Sequence, residues 1–222
     1  MTRAERRAAQ QAARAAALAE RLASLLDLHG DERVVDVGCG TGAAVYALAP
    51  TAREVIGVDS DASMIEVARR EAPANAGFEL ADGEQLPFST GDFDVGTTLR
   101  TLHHTRNPDR LLAELVRVTK PGGTILVVDQ LAPRRAEQAR LLDEFEQARD
   151  PTTSHVLTEA ELRGLLARLG LILGHAEVVT EPRDLEAYLD LAGCAGAARE
   201  RAIRLAPPGY EAAIGWFVLL RP

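Results

Sequence analysis

Val34-Val35-Asp36-Val37-Gly38-Cys39-Gly40-Thr41-Gly42 is an apolar run that ends in a glycine-rich turn. Side chains at those glycines would keep the backbone away from a ligand, and some turn positions need a positive φ. A helix opening after such a turn presents free N–H groups and the positive end of its dipole. The spacing Gly38-x-Gly40-x-x-Ala43 fits a dinucleotide fingerprint, a weak signal when it stands alone. Asp59 follows 21 residues after Gly38, at the end of a second apolar run. A carboxylate there accepts hydrogen bonds from both hydroxyls of a ribose, which indicates an adenosine-bearing ligand without selecting which one. A helix N-cap is the competing reading in Asp59-Ser60-Asp61, and Ser60 or Asp61 suits it better. His103 and His104 are the proton-handling candidates, because an unperturbed imidazole titrates near neutrality. A packed or solvated imidazole is the alternative for both, and for His103 it is the reading the sequence favours. His155 reads as a solvated loop histidine, and Arg100 as a contact to an anionic acceptor or simply part of a rim.

These groups need strands whose carboxyl ends lie side by side. From Arg33 the chain alternates β-branched apolar runs with helix-period segments, the pattern of βα units around a mostly parallel sheet. Strands are expected at Arg33 to Val37, Glu54 to Val58, Phe78 to Leu80, Phe93 to Leu99, Thr124 to Asp129, Leu171 to Val179 and Ala213 to Leu220. Helices fill the intervals at Ala43 to Leu48, Ala62 to Glu71, Asp109 to Val118 and Glu159 to Leu169. In an open sheet of this kind ligands bind beyond the carboxyl ends of the strands. The Ala-rich residues 1–28 form a helix with Leu18, Leu22, Leu25 and Leu26 as its apolar stripe. Segments 131–157 and 181–209, the first broken at Asp150-Pro151 and the second ending in Pro207-Pro208-Gly209, are expected to cap the ligand face. The whole, 1–222, reads as a single domain. Lys120-Pro121-Gly122-Gly123 is a turn feeding a strand.

With 46% hydrophobic residues in 222, one sizeable core is available. The formal net charge of -8 argues against nucleic acid as a partner, since phosphate backbones are held by clustered Lys and Arg. Cys39 and Cys194 form no CxxC pair, so neither a disulfide framework nor a metal site is expected. No apolar stretch approaches the roughly 18 residues that a membrane span needs. A soluble, cytoplasmic protein with no membrane partner is the expectation.

Five segments in order resemble the class I methyltransferases, and in particular the family that includes the ubiquinone and menaquinone C-methyltransferases. They are Val34 to Gly42, Gly57 to Ile65, Ala81-Asp82-Gly83-Glu84-Gln85-Leu86-Pro87-Phe88, Phe93-Asp94 through His103-His104, and Leu111 through Lys120-Pro121-Gly122-Gly123. The resemblance implies a Rossmann-like, doubly wound, seven-stranded sheet with its last strand antiparallel, helices on both faces, and S-adenosyl-L-methionine as cofactor. It implies that Asp36, Gly38 and Gly40 face the methionine portion and that the backbone at Leu99 holds the same part. Asp59 would take the ribose, Met64 would pack on the adenine, and Asp82 with Gly83 would meet the adenine edge. For Met64 an ordinary core methionine is the alternative, and for Asp82-Gly83 a turn-forming pair. Methyl transfer is an in-line displacement in which orientation of a small-molecule acceptor dominates, with a base needed only when the acceptor must lose a proton. After the fourth strand the chain reads Leu99-Arg100-Thr101-Leu102, without the Asn/Asp-Pro-Pro-aromatic run of enzymes that methylate amino groups of nucleobases. A nicotinamide oxidoreductase shares the glycine loop and Asp59, but none of Tyr46, Tyr188 and Tyr210 has Lys four residues on. A non-catalytic cofactor-binding module is the second rival, because a fold does not fix a reaction.

Overall fold

Strand β1 (Arg33–Val37) lies between β2 (Glu54–Asp59) and β4 (Phe93–Leu99), parallel to both. β3 (Ala76–Leu80) extends the β2 side, and β5 (Thr119–Leu131) the β4 side. β7 (Glu211–Leu220) inserts antiparallel between β5 and β6 (Ile172–Pro182), completing the order β3-β2-β1-β4-β5-β7-β6. The seven-stranded sheet with an antiparallel final strand is therefore as the resemblance implied. The structure is a computed structural model describing residues 2–207 and 209–222, so Pro208 of the expected second capping segment lies outside the described residues.

The central strands are apolar on both sides because helices cover both faces. Val34, Leu126 and Val128 point into one core layer, and their neighbours Val35, Ile125 and Val127 into the other. Helices α1 (Arg3–Leu25), α2 (Ala43–Leu48) and α3 (Ala62–Arg69) lie on the first layer's side, with Leu22 and Leu26 fully buried there. The other layer is closed by α4 (Pro108–Val118) and α6 (Glu159–Arg168). Thr2 begins α1 with a capping box, its hydroxyl accepting from the Glu5 N–H while the Glu5 carboxylate accepts from the Thr2 N–H.

Segment 131–157 contains α5 (Ala136–Arg149), and segment 181–209 contains α7 (Leu185–Ala192) and α8 (Gly196–Leu205). Lys120 to Gly123 falls within the bounds of β5, where the pairing with β4 skips from Thr119 to Thr124 and Gly122 takes a φ of +78°. The expected turn is thus absorbed into the strand as an irregularity. β3 likewise starts two residues earlier than expected, because Ala76 and Gly77 pair with Val55 and Ile56. The strand order reverses between β1 and β4, each pairing outward from the other, and the crevice at their carboxyl ends is where an open α/β sheet takes its ligands.

Candidate active site

Two cavities open at that crevice. One, of about 520 Å³, is lined by Gly38, Gly40, Asp59, Met64, Asp82 and Gly83, together with Arg7 and His104. The other, of about 560 Å³, runs under α1 and α7 and is lined by Asp36, Leu99, His103, Val128 and Trp216 among others. Gly38, Gly40, Arg7 and Arg100 belong to both. The ten residues assigned in the sequence to cofactor contacts or to proton handling, Asp36, Gly38, Gly40, Asp59, Met64, Asp82, Gly83, Leu99, His103 and His104, therefore line one cavity or the other.

The glycine loop is shaped by two different demands. Gly38 has φ +77°, and a Cβ there would lie 2.1 Å from Thr101 Cγ2, so the close approach of the β4–α4 loop requires glycine. Gly40 has φ +54°, and a Cβ would meet nothing within 4 Å. At Gly40 a side chain would fill ligand space instead of displacing protein, which suits a cofactor lying on the loop. Asp59 ties this loop to the end of β2. Its Oδ2 accepts from the Gly40 N–H at 2.7 Å, and its Oδ1 from the Asp61 N–H at 2.9 Å. Asp61, and not Asp59, caps α3, accepting from the Ser63 N–H at 2.8 Å. Asp82 accepts from the Glu84 N–H at 2.9 Å, so the turn role and a place in the cleft coincide in one residue. Met64 is buried at the cleft wall.

Asp36 is 2% exposed, and its Oδ1 accepts from the Thr97 hydroxyl at 2.7 Å. Burial pushes its carboxyl up to about 7 against that hydrogen bond, with the charge of Asp59 adding to the rise. A cationic ligand group beside it would restore the ionised form.

The two histidines are treated differently by the fold. Register between β4 and β5 sets Leu99 opposite Val128, which brings Asp129 under the short 3-10 turn Leu102–His104. Asp129 accepts from the His103 backbone N–H at 3.1 Å and lies 2.5 Å from His103 Nδ1. Burial opposes ionisation of Asp129, yet His103 and the Gln130 N–H hold its carboxyl below the usual range. His103 packs under the loop as the sequence suggested, and it also reaches the larger cavity with its ring held by a carboxylate. His104 packs against it, tilted by 43° with 4.2 Å between centroids, and contacts Thr152 Oγ1 through Nδ1 at 3.0 Å. Burial, followed by the nearby His103 and Arg7, drives the His104 imidazole down to about 3, and its Nε2 is buried without a partner among the described residues. Asp129 escaped the sequence reading, where it was only the last residue of a strand. A carboxylate ending the strand beside the one that feeds His103-His104 was the available signal.

Arg100 has φ +56°, a left-handed conformation that costs roughly 1–3 kcal/mol outside glycine. Its N–H donates to the Val128 carbonyl at 2.7 Å and its guanidinium to Glu181 at 2.7 Å, which fixes it between the two cavities. The Arg100 side chain is therefore engaged at the rim. His155 lies outside both cavities, half-exposed and bonded to Asp143 at 2.7 Å.

Residues 35–127 match the family model described as "Methyltransferase domain". The chain is 33% identical over 134 residues to an uncharacterized methyltransferase, YcgJ, of Bacillus subtilis (strain 168), an alignment covering 59% of this chain and 52% of that protein. It is 36% identical over 98 residues to the demethylmenaquinone methyltransferase of Renibacterium salmoninarum, covering 44% and 41%. The chain spans about half the length of the curated relatives it matches. The crystal structure of Bacillus subtilis YcgJ superposes with a TM-score of 0.80 at 21% identity, covering 92% of this chain and 98% of that one. A geranyl diphosphate C-methyltransferase of Streptomyces coelicolor A3(2), solved with S-adenosyl-L-homocysteine, superposes at 0.70 with 20% identity, covering 93% and 79%. The resemblance read from the five segments is matched by the family model over residues 35–127, and the chain has the fold of these solved methyltransferase structures. Among the described residues no helix is long and apolar enough to cross a membrane.

Proposed function

We propose that this chain transfers a methyl group from S-adenosyl-L-methionine to a small-molecule acceptor, with His103 as the base where the acceptor must lose a proton. The observation that carries the reading is the meeting of two cavities at Gly38, Gly40 and Arg100, one walled by Asp59, Met64 and Asp82 and the other by His103, whose ring Asp129 holds from behind. The matching methyltransferase domain supports it, as do relatives and neighbours named for menaquinone and geranyl diphosphate substrates.

In this reading Asp59 holds the ribose, Met64 and the Asp82-Gly83 turn hold the adenine, and Asp36, with the backbone at Gly38, Gly40 and Leu99, takes the amino-acid portion. The cofactor, when bound, supplies a methyl group already activated on a sulfonium. The protein's remaining work is alignment and exclusion of water, which the cover of α1 and α7 over the larger cavity provides. With Asp129 accepting at Nδ1, the neutral His103 ring carries its lone pair on Nε2, the atom that would take the acceptor's proton. His104, kept neutral by burial, serves as packing behind it.

Calorimetric titration of the full chain with S-adenosylhomocysteine, and in parallel with NADH, tests the reading. Binding of the first alone supports it, whereas binding of NADH alone would replace it with the oxidoreductase reading. Two further outcomes are expected. Asp59→Ala weakens S-adenosylhomocysteine binding by roughly 1.5–3 kcal/mol, the range for hydrogen bonds to a charged group. Asp59→Asn, which still accepts from the Gly40 N–H, separates loss of the ribose contact from loosening of the loop; equal affinity in both folded variants and the wild type would remove Asp59 from the site. Affinity also depends on Asp36. Its carboxyl ionises near 7, and a cationic amino group prefers the ionised form, so affinity falls as pH drops from about 7 to about 5.5, approaching tenfold per pH unit at the acid end. The ligand's own ammonium remains protonated across that window. In Asp36→Asn the slope disappears.

A further inference from the structure

The charge on the larger cavity narrows the acceptor, provided the methyltransferase reading on which this rests is right. Six guanidiniums line that cavity, from Arg7, Arg14, Arg21, Arg100, Arg149 and Arg183. Three are neutralised within the protein, Arg21 by Glu177, Arg100 by Glu181 and Arg149 by Glu146. Arg7, Arg14 and Arg183 make no ion pair and no side-chain hydrogen bond among the described residues. Of the acids in the same wall, Glu181 pairs with Arg100, Asp36 accepts from Thr97 and faces the cofactor's ammonium in the proposed reading, and Asp184 caps α7 by accepting from the Ala187 N–H at 2.8 Å, so three unpaired guanidiniums outnumber the two remaining carboxylates.

This surplus is local, because the chain as a whole carries a net charge of -8. Arg7 borders both cavities, so a cofactor carboxylate competes for it. Arg183 and Arg14 border the larger cavity alone. Arg183 is half-buried, its Cζ 4.3 Å from the centroid of the Tyr188 ring, which orients the guanidinium without supplying a counter-charge. The rest of the wall is apolar at Leu18, Leu99, Val128, Val179 and Leu191, with Trp216, whose buried indole N–H has no acceptor among the described residues, beside them. A guanidinium withdrawn from water and left without an anion is unfavourable, and a ligand that brings the anion removes that cost.

We propose that the methyl acceptor is an organic anion with an apolar body, its acidic group held by Arg183 with Arg14 of α1 as the second cation, and its body lying against Trp216 and Val128. Neutral quinones and uncharged amines fit this cavity less well, since they would leave the half-buried Arg183 guanidinium unpaired.

A matched pair of fluorescent probes tests this on the full chain saturated with S-adenosylhomocysteine: 8-anilinonaphthalene-1-sulfonate, and N-phenyl-1-naphthylamine, which has the same rings without the sulfonate. The sulfonate is expected to bind with one-to-one stoichiometry about tenfold or more tighter than the amine, as charge-assisted contacts to a guanidinium allow. Raising NaCl should erode that preference while leaving the amine's affinity unchanged. In Arg14→Gln/Arg183→Gln the preference should collapse toward unity with S-adenosylhomocysteine affinity retained. The proposal is overturned if the amine binds as well as the sulfonate, if neither probe binds, or if the preference survives the double substitution or high salt. The salt series needs only the wild-type chain, so it decides the matter even where the double variant does not fold. Failure of S-adenosylhomocysteine itself to bind would discard the methyltransferase reading; its binding without an anion preference would discard the present proposal alone.

Discussion

Replacing His103 by alanine is expected to slow methyl transfer to a hydroxyl acceptor by about a hundredfold or more, the usual contribution of a general base, while S-adenosylhomocysteine affinity stays unchanged. The separation of effects follows from position, because His103 lines the larger cavity and not the cleft that holds Asp59, Met64 and Asp82. Asp129→Asn is the sharper companion. An amide at that position can present its NH2 to His103 Nδ1 and stabilise the wrong tautomer, moving the N–H to Nε2 and removing the base without removing the ring. A comparable loss of rate with retained cofactor affinity is therefore expected of Asp129→Asn. His104→Ala should cost far less rate, since its imidazole is driven down to about 3 by burial and its Nε2 is enclosed. Transfer of radiolabelled methyl to acceptors found by screening hydroxyl compounds measures all three. A His104→Ala loss exceeding that of His103→Ala would assign the base to His104 instead.

The second large effect is on stability. Glu146 is 1% exposed and accepts from four side chains: Arg149 Nε at 2.8 Å, Gln130 Nε2 at 2.9 Å, Tyr210 Oη at 2.6 Å and Tyr188 Oη at 3.1 Å. These donors come from α5, β5, α7 and the approach to β7, so one carboxylate joins both capping segments to the sheet. Burial raises its cost of ionisation, but Arg149, Tyr210 and Gln130 together hold its carboxyl below the ordinary range. Glu146→Ala leaves Arg149, itself 3% exposed, as a buried charge stripped of its ion-pair carboxylate. Breaking one side of a buried pair costs about 3–5 kcal/mol, which for a chain of this size lowers Tm by roughly 6–20 °C. Tyr210→Phe, which removes one donor, should cost about 1–2 kcal/mol. Because the folded-state pKa of Glu146 is depressed, its contribution is complete above the unfolded value and is lost as pH falls through the folded one. Calorimetric melting of the two variants checks the expectation, and an unchanged Tm in Glu146→Ala would mean that the cluster is solvated and contributes nothing.

Most of the cleft around Gly38, Gly40 and Asp59 was legible in the sequence because its parts are local. Gly38, Gly40 and Asp59 sit at the ends of consecutive strands, and the parallel register of β1 with β2 carries them side by side without help from distant segments. The β-branched runs and the intervening helix periods set the strand order's central portion for the same reason. The two capping segments were legible only as charged, helix-permissive chain. Their helices turn inward where single buried contacts, such as Glu146 with Tyr188 and Tyr210, form across 42 and 64 residues. No short-range pattern encodes those contacts.

The sequence by itself determined the parallel part of the sheet, the glycine turn and the carboxylate that follows it, since each depends on backbone conformation and spacing within one βα unit. Only the tertiary structure decided which histidine has a carboxylate behind it, because Asp129 reaches His103 through the pairing of β5 with β4. Only the tertiary structure gathered six arginines from α1, the β4–α4 loop, α5 and the residue after β6 around one cavity and left three of them without a counter-ion among the described residues. Charge balance in a pocket is a sum over segments far apart in the chain, and that sum exists only once the segments are packed.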